Sequence, residues 1–167
     1  MAKEDLSPLE KLFDDCLQAG VNIEEKGHLP DNVAAAFYED ADTEPTIILN
    51  QNIKTAGEKL CAVAEELGHY NTSYGNLLTD PSVDNTTIRQ QETRAKRWAV
   101  KKLVSIKSII QAYKSGCRST YEMAEYLEVT EDFFRKSLQQ YAEIYGKCKK
   151  RGVYIIYFDP PGVFKSL

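Results

Sequence analysis

A chain of 167 residues, 43% of them hydrophobic, can bury about two thirds of its unfolded surface and needs no covalent staple. Its 21 basic and 25 acidic side chains leave a formal net charge of −4, which excludes a histone-like polycation and an acidic disordered tail. No apolar run approaches the roughly 18 residues of a membrane helix, and the opening Met1-Ala2-Lys3-Glu4-Asp5 is too polar for a signal peptide, so a cytoplasmic protein without membrane attachment is expected.

The first helix is signalled by Ser7-Pro8-Leu9-Glu10, an N-cap serine with proline at the first helical position and a capping-box glutamate. Leu9, Leu12, Phe13, Cys16 and Leu17 form its apolar stripe, and Gly20 closes it. Residues 33–38 and 46–49 read as two strands around the acidic loop Glu39 to Pro45. A second helix opens at Thr55 with Glu58 three residues on, carries Leu60, Val63, Ala64 and Leu67 as its stripe, and ends near His69 or Tyr70. A third runs from about 87 to 103 and a fourth from 104 to 113. Residues 119–145 read as helix, tight turn, helix, capped by Ser119 with Glu122 and by Thr130, and stopped by Gly146. Phe133, Leu138, Tyr141, Ile144 and Tyr145 are its expected core. Residues 153–158 form a last strand, stopped by Pro160-Pro161-Gly162. Helix, strands, helices and strand in that order predict an α+β fold.

Charge is uneven along this order. Residues 1–88 carry 17 acids and 5 bases, residues 89–118 nine bases and one acid, and residues 119–167 seven of each. The basic stretch lacks aromatic interleaving, so it reads as a complement to the acidic half rather than as a nucleic-acid surface. The second helix of the 119–145 motif opens with Glu131 and Asp132, which repel phosphate, so direct DNA binding is not expected there. Cys16, Cys61, Cys117 and Cys148 contain no CxxC pair and read as reduced, structural thiols.

Two histidines leave acid–base and metal chemistry few places to stand. His28 lies in a loop beside Pro30 and reads as a surface residue. On the second helix Glu65 and His69 are i,i+4 neighbours, spaced like the two histidines of H-E-x-x-H, with Glu66 between them. Taken alone, Glu65 and His69 read first as a solvated polar face. On the third helix, however, Glu92 falls in the middle of the apolar stripe Ile88, Ala95, Ala99 and Leu103. A carboxylate facing a core must be paired, protonated or metal-bound. A salt bridge to an arginine and a cation shared with Glu65 and His69 are the two readings.

Ala64-Glu65-Glu66-Leu67-Gly68-His69-Tyr70, followed by Thr72-Ser73-Tyr74-Gly75-Asn76, resembles the active-site helix of the ImmA/IrrE metallo-endopeptidases, which typically reads H-E-[LI]-G-H. Glu92-x-x-Ala95-x-x-Trp98-Ala99 is similar to that family's E-x-x-A-N-x-F-A element, whose glutamate is the third zinc ligand. Glu65 stands for the family's first histidine, Lys96 for its asparagine and Trp98 for its phenylalanine. The resemblance implies a mainly helical, zincin-like metallopeptidase domain over residues 1–103 with a small β-sheet. A helix-turn-helix-like extension and a strand then cover residues 104–167. It implies Glu65, His69 and Glu92 as metal ligands, Glu66 as general base, and a helix-turn-helix repressor of a prophage or mobile element as the protein cut by a metal-held water. Two carboxylates and one imidazole leave a divalent site neutral, which raises the pKa of its water above the usual ~7 and favours harder ions such as Mn²⁺ beside Zn²⁺. An inactive antirepressor or adaptor that grips the repressor without cutting it is the alternative. Tyr70 and Tyr74 are near enough in sequence to offer a phenolic hydrogen bond to such a site.

Overall fold

A computed structural model of the chain describes residues 6–40, 42–72 and 84–166. It divides into two compact units, Met1–Ala99 and Val100–Leu167. Both mix helices with a three-stranded sheet, so the fold is α+β. No helix among the described residues is long and apolar enough to cross a membrane.

In the first unit, α1 (Pro8–Gln18) starts from the Ser7–Glu10 capping box and buries Leu12 and Cys16. Leu17, expected on its apolar stripe, is 67% exposed. Three strands follow: β1 (Asn22–Gly27), β2 (Ala35–Asp40) and β3 (Thr43–Asn50). Sheet order is β1-β3-β2, with β1 parallel and β2 antiparallel to the central β3. Strand β1 escapes a hydrophobic pattern because its Glu24, Glu25 and Lys26 are all exposed; it is an edge held by the ladder. Ile47 and Leu49 of β3 carry the sheet's contribution to the core.

Asn50, at the end of β3, is 3% exposed. Its Nδ2 donates to the carbonyls of Leu29, Pro30 and Val33 at 3.1, 3.0 and 2.8 Å, and its Oδ1 accepts from the Asn52 N–H. This one side chain ties down the turn that delivers the chain into β2. Next, α2 (Ala56–Thr72) opens with a reciprocal pair: Thr55 Oγ1 accepts from the Glu58 N–H, and Glu58 Oε2 accepts from the Thr55 N–H. The helix packs on α1, β2 and β3 and buries an unbroken pair of stretches, Leu60–Ala64 and Leu67–Gly68. The last long helix, α3 (Asn85–Leu103), buries Ala95 and Ala99.

In the second unit, α5 (Thr120–Tyr126) and α6 (Glu131–Tyr145) carry the expected caps at Ser119 and Thr130, and α4 (Ile106–Lys114) starts two residues later than expected because Ser105 caps it. Glu128, at φ 57°, makes the tight turn between α5 and α6. Phe133, Phe134, Leu138 and Tyr141 are buried, and the Tyr141 hydroxyl donates to the Val104 carbonyl at 2.8 Å. Ile144 and Tyr145, expected in this core, are 45% and 41% exposed; they occupy the last turn of α6, where the Tyr145 ring stacks on Tyr141 and Phe158 at the border of the core. The single expected strand is the centre of a sheet ordered β4 (Cys148–Arg151), β5 (Tyr154–Phe158), β6 (Pro161–Lys165). Pro161 does not end the sheet. It begins an edge strand, the place where a missing N–H costs no ladder bond.

The Asn50 hub yields a test. Asn50→Ala leaves three carbonyls to find other partners, so it should destabilise the first unit by roughly 2–4 kcal/mol, read as a shift of the denaturant midpoint. A change below about 0.5 kcal/mol would show that the turn holds without it.

Candidate active site

Two helices bring the candidate residues together, and one glycine lets them do so. A Cβ on Gly68 of α2 would lie 2.5 Å from the Ala95 carbonyl oxygen of α3, and 3.1 and 3.3 Å from Ala95 C and Cα. Only a residue without a side chain permits that approach. One residue after Gly68, His69 Nε2 comes to 3.5 Å from Glu92 Oε1. Both side chains are partly open to solvent, at 26% and 41%.

Glu92 is therefore not the buried carboxylate that its place on the helical wheel indicates. The middle of the stripe is filled by Ala95 and Ala99, both at 0% exposure, and the longer glutamate reaches past them to the border of the contact. Among the described residues the cationic side chain paired with it is not an arginine: Lys96 Nζ lies 3.7 Å from Glu92 Oε2, a loose and mostly exposed i,i+4 pair.

Glu66 occupies a different environment. Its Oε2 accepts the Phe37 N–H of β2 at 3.0 Å. The Asn50 N–H donates to Ala34 O, so alternation along the ladder turns the Ala35 and Phe37 amides away from β3, toward the free edge. Glu66 thus caps the outer edge of β2. Burial pushes its carboxyl up from the ordinary 4.5 to about 7; the Phe37 N–H opposes that rise, and the charges of Glu65 and Glu92 add to it. A carboxyl near neutrality is suited to accept and return a proton at physiological pH.

Glu65, one turn before His69 on α2, is half-buried. Among the described residues, no three His, Cys, Asp or Glu side chains stand as a group ready to hold a metal ion. The structure brings His69 and Glu92 together without drawing Glu65 into a triad. Tyr70 turns elsewhere: its hydroxyl donates to Ala19 O at 3.0 Å and its ring packs on Phe37, so it braces α1 against α2. Tyr74 lies outside the described residues, and His28 is exposed. Residue patterning overlooks two contributors. Gly68 had a visible signal, an isolated glycine inside a helical pattern. Phe37 acts through its backbone amide and had none.

The α+β core thus sets Glu66 and His69 of α2 and Glu92 of α3 in one neighbourhood. The family model described as the IrrE N-terminal-like domain, Peptidase_M78, matches residues 16–139, and the chain belongs to that family. No curated protein and no solved structure shows a significant match to the chain.

Two outcomes check this geometry. Gly68→Ala should cost about 2 kcal/mol, because backbone must move to admit the methyl group. Thermal unfolding should then fall by roughly 4–8 °C, and an unchanged midpoint would contradict the close crossing. The second concerns pH in metal-chelated protein. The folded state holds the Glu66 proton up to about pH 7 while the unfolded chain releases it near 4.5. The stability it lends is full below 4.5 and lost as pH rises to 7. Glu66→Gln stays neutral throughout, so its stability relative to wild type should grow across that window, by at most about 3 kcal/mol before solvent screening trims it. A pH-independent difference would contradict the desolvated setting.

Proposed function

We propose that this protein is a metal-dependent endopeptidase in which Glu65, His69 and Glu92 hold a divalent cation, Zn²⁺ or Mn²⁺, and Glu66 is the general base. The separation of His69 Nε2 and Glu92 Oε1 carries this reading. At 3.5 Å it is long for a hydrogen bond, and it is close to the roughly 3.4 Å between two donors bound at 2.0–2.2 Å around a tetrahedral ion. One imidazole and carboxylate oxygens are a donor set for such ions. A cation held there supplies Lewis acidity toward water and the scissile carbonyl.

The chain's own residues account for the proton. Glu66 Oε2 is anchored on the Phe37 amide, and among the described residues Oε1 has no donor, so Oε1 is the oxygen that takes a proton from the attacking water and returns it to the leaving amine. Lys96 approaches Oε2 of Glu92, which leaves Oε1 facing His69. A helix-turn-helix repressor as the protein cleaved rests on the resemblance to the ImmA/IrrE enzymes. The α5–α6 motif serves packing rather than groove reading: Arg135 and Lys136 are paired with Glu131 and Asp132 at 2.6 Å each. A binder that grips without cutting is the second reading, favoured by the lack, among the described residues, of three His, Cys, Asp or Glu side chains grouped to hold a metal ion.

Elemental analysis and a cleavage assay separate the two. Wild-type protein should bind about one equivalent of Zn²⁺ or Mn²⁺ and generate new termini in a random-sequence peptide pool read by mass spectrometry. Glu66→Gln should keep the metal and lose at least about 100-fold in cleavage rate. Equal cleavage by Glu66→Gln would overturn the assigned base. Metal-loaded wild type that cuts nothing while still binding peptides would establish the binder.

A further inference from the structure

The second unit carries a cleft of about 290 Å³ that the proposed chemistry does not use. Its apolar lining includes Ile109 of α4, Met123 of α5, Phe134 and Leu138 of α6 and Val163 of β6, with Arg118 and Arg135 as its cationic side chains. The two arginines differ. Arg135 spends Nε and Nη2 on Glu131 at 3.0 and 2.6 Å. Arg118 is held rigid by neutral partners: Nη1 donates to the Tyr113 and Cys117 carbonyls at 2.7 and 2.9 Å, and the guanidinium lies 4.3 Å from the centre of the Tyr113 ring. Glu122 feels its charge, but that carboxylate's Oε2 is engaged by the backbone N–H groups of Arg118 and Ser119. Among the described residues no carboxylate forms a salt bridge with the Arg118 side chain, so a pre-positioned fork beside an apolar cleft keeps Nε and Nη2 for an anion.

Strand β6 adds a second recognition element. The Ser166 N–H donates to Val153 O at 2.6 Å, so by alternation Gly162 and Phe164 also bond inward to β5. Val163 and Lys165 turn their N–H and C=O groups outward along the free edge, and β6 itself contributes Pro161, Gly162 and Val163 to the cleft lining. An edge with open backbone groups beside an apolar cleft is the arrangement used for strand addition. The unit's charge agrees in sign with an acidic partner: residues 100–167 hold twelve basic and seven acidic side chains.

We propose that this cleft docks an extended, acidic segment of a partner protein, which adds as a strand to β6, seats an apolar side chain over Met123, Phe134 and Leu138, and pairs a carboxylate with Arg118. The proposal draws on none of the residues at 65, 66, 69 or 92 and stands independently of them.

Fluorescence anisotropy with three pools of fluorescein-labelled decapeptides tests it. The pools are random over Thr, Val, Ser and Leu except for a fixed central Leu-x-Glu, Leu-x-Gln or Leu-x-Lys. The Glu pool should bind the full chain about tenfold more tightly than the other two. Arg118→Gln should reduce it to the level of the Gln pool, and Arg118→Lys should restore part of the difference because it keeps the charge without the fork. Lys165→Pro deletes an outward N–H and no ladder bond, so it should weaken all pools while the circular dichroism spectrum stays that of wild type. Failure of every pool to bind, or a Glu preference untouched by both Arg118→Gln and Lys165→Pro, would overturn the proposal. Arg118-dependent binding of fluorescein-labelled oligo(dT) that exceeds the Glu pool would also overturn it and make the anion a nucleic-acid phosphate.

Discussion

The contact between Gly68 and the Ala95 backbone is the constraint on which the candidate site depends. Helices usually pack with their axes 8–10 Å apart, separated by side chains. Here one helix presents no side chain and the other only a methyl group, so α2 and α3 approach closely enough for His69 and Glu92 to face each other. The small residues of the first unit thereby do what large ones do elsewhere: they fix a distance. Ala95 and Ala99 fill the interface, and the longer Glu92 projects past them to its border.

That geometry concentrates charge. The charges of Glu65 and Glu92 act on Glu66, while His69 faces Glu92 and Lys96 sits loosely beside it. Three acids in one neighbourhood are costly unless a proton or a cation is shared among them. In the protein alone, the proton is the remedy, and burial assigns it to Glu66. A divalent ion between His69 and Glu92 would relieve the same repulsion and release Glu66 to act as a carboxylate. On the proposed reading, proton and cation would be alternative answers to one electrostatic problem.

How much of this was legible beforehand follows from the range over which each signal acts. Caps at Ser7, Thr55, Ser119 and Thr130 are bonds between a side chain and a backbone group three residues away, so they can be recognised in a few letters. Strands β1, β4 and β6 are different: Glu24-Glu25-Lys26, Cys148 to Arg151 and a segment beginning with Pro161 become strands because a neighbour offers a ladder. Exposed Leu17, Ile144 and Tyr145 show that an apolar residue in helical register need not reach a core. Within the site, the 65–66–69 spacing was visible because it lies on one helix. The helical wheel placed Glu92 on the correct face but could not give its depth, which the size of Ala95 and Ala99 decides. The Phe37 amide leaves no residue signature at all.

The central claim is that His69 and Glu92 are two corners of a cation site. Anomalous diffraction at the zinc edge, from crystals grown with Zn²⁺, measures this directly. A peak about 2.0–2.2 Å from both His69 Nε2 and a Glu92 oxygen is expected, with Glu65 turned in as a further donor. A peak lying elsewhere, or none while Glu92 stays on Lys96, would contradict it.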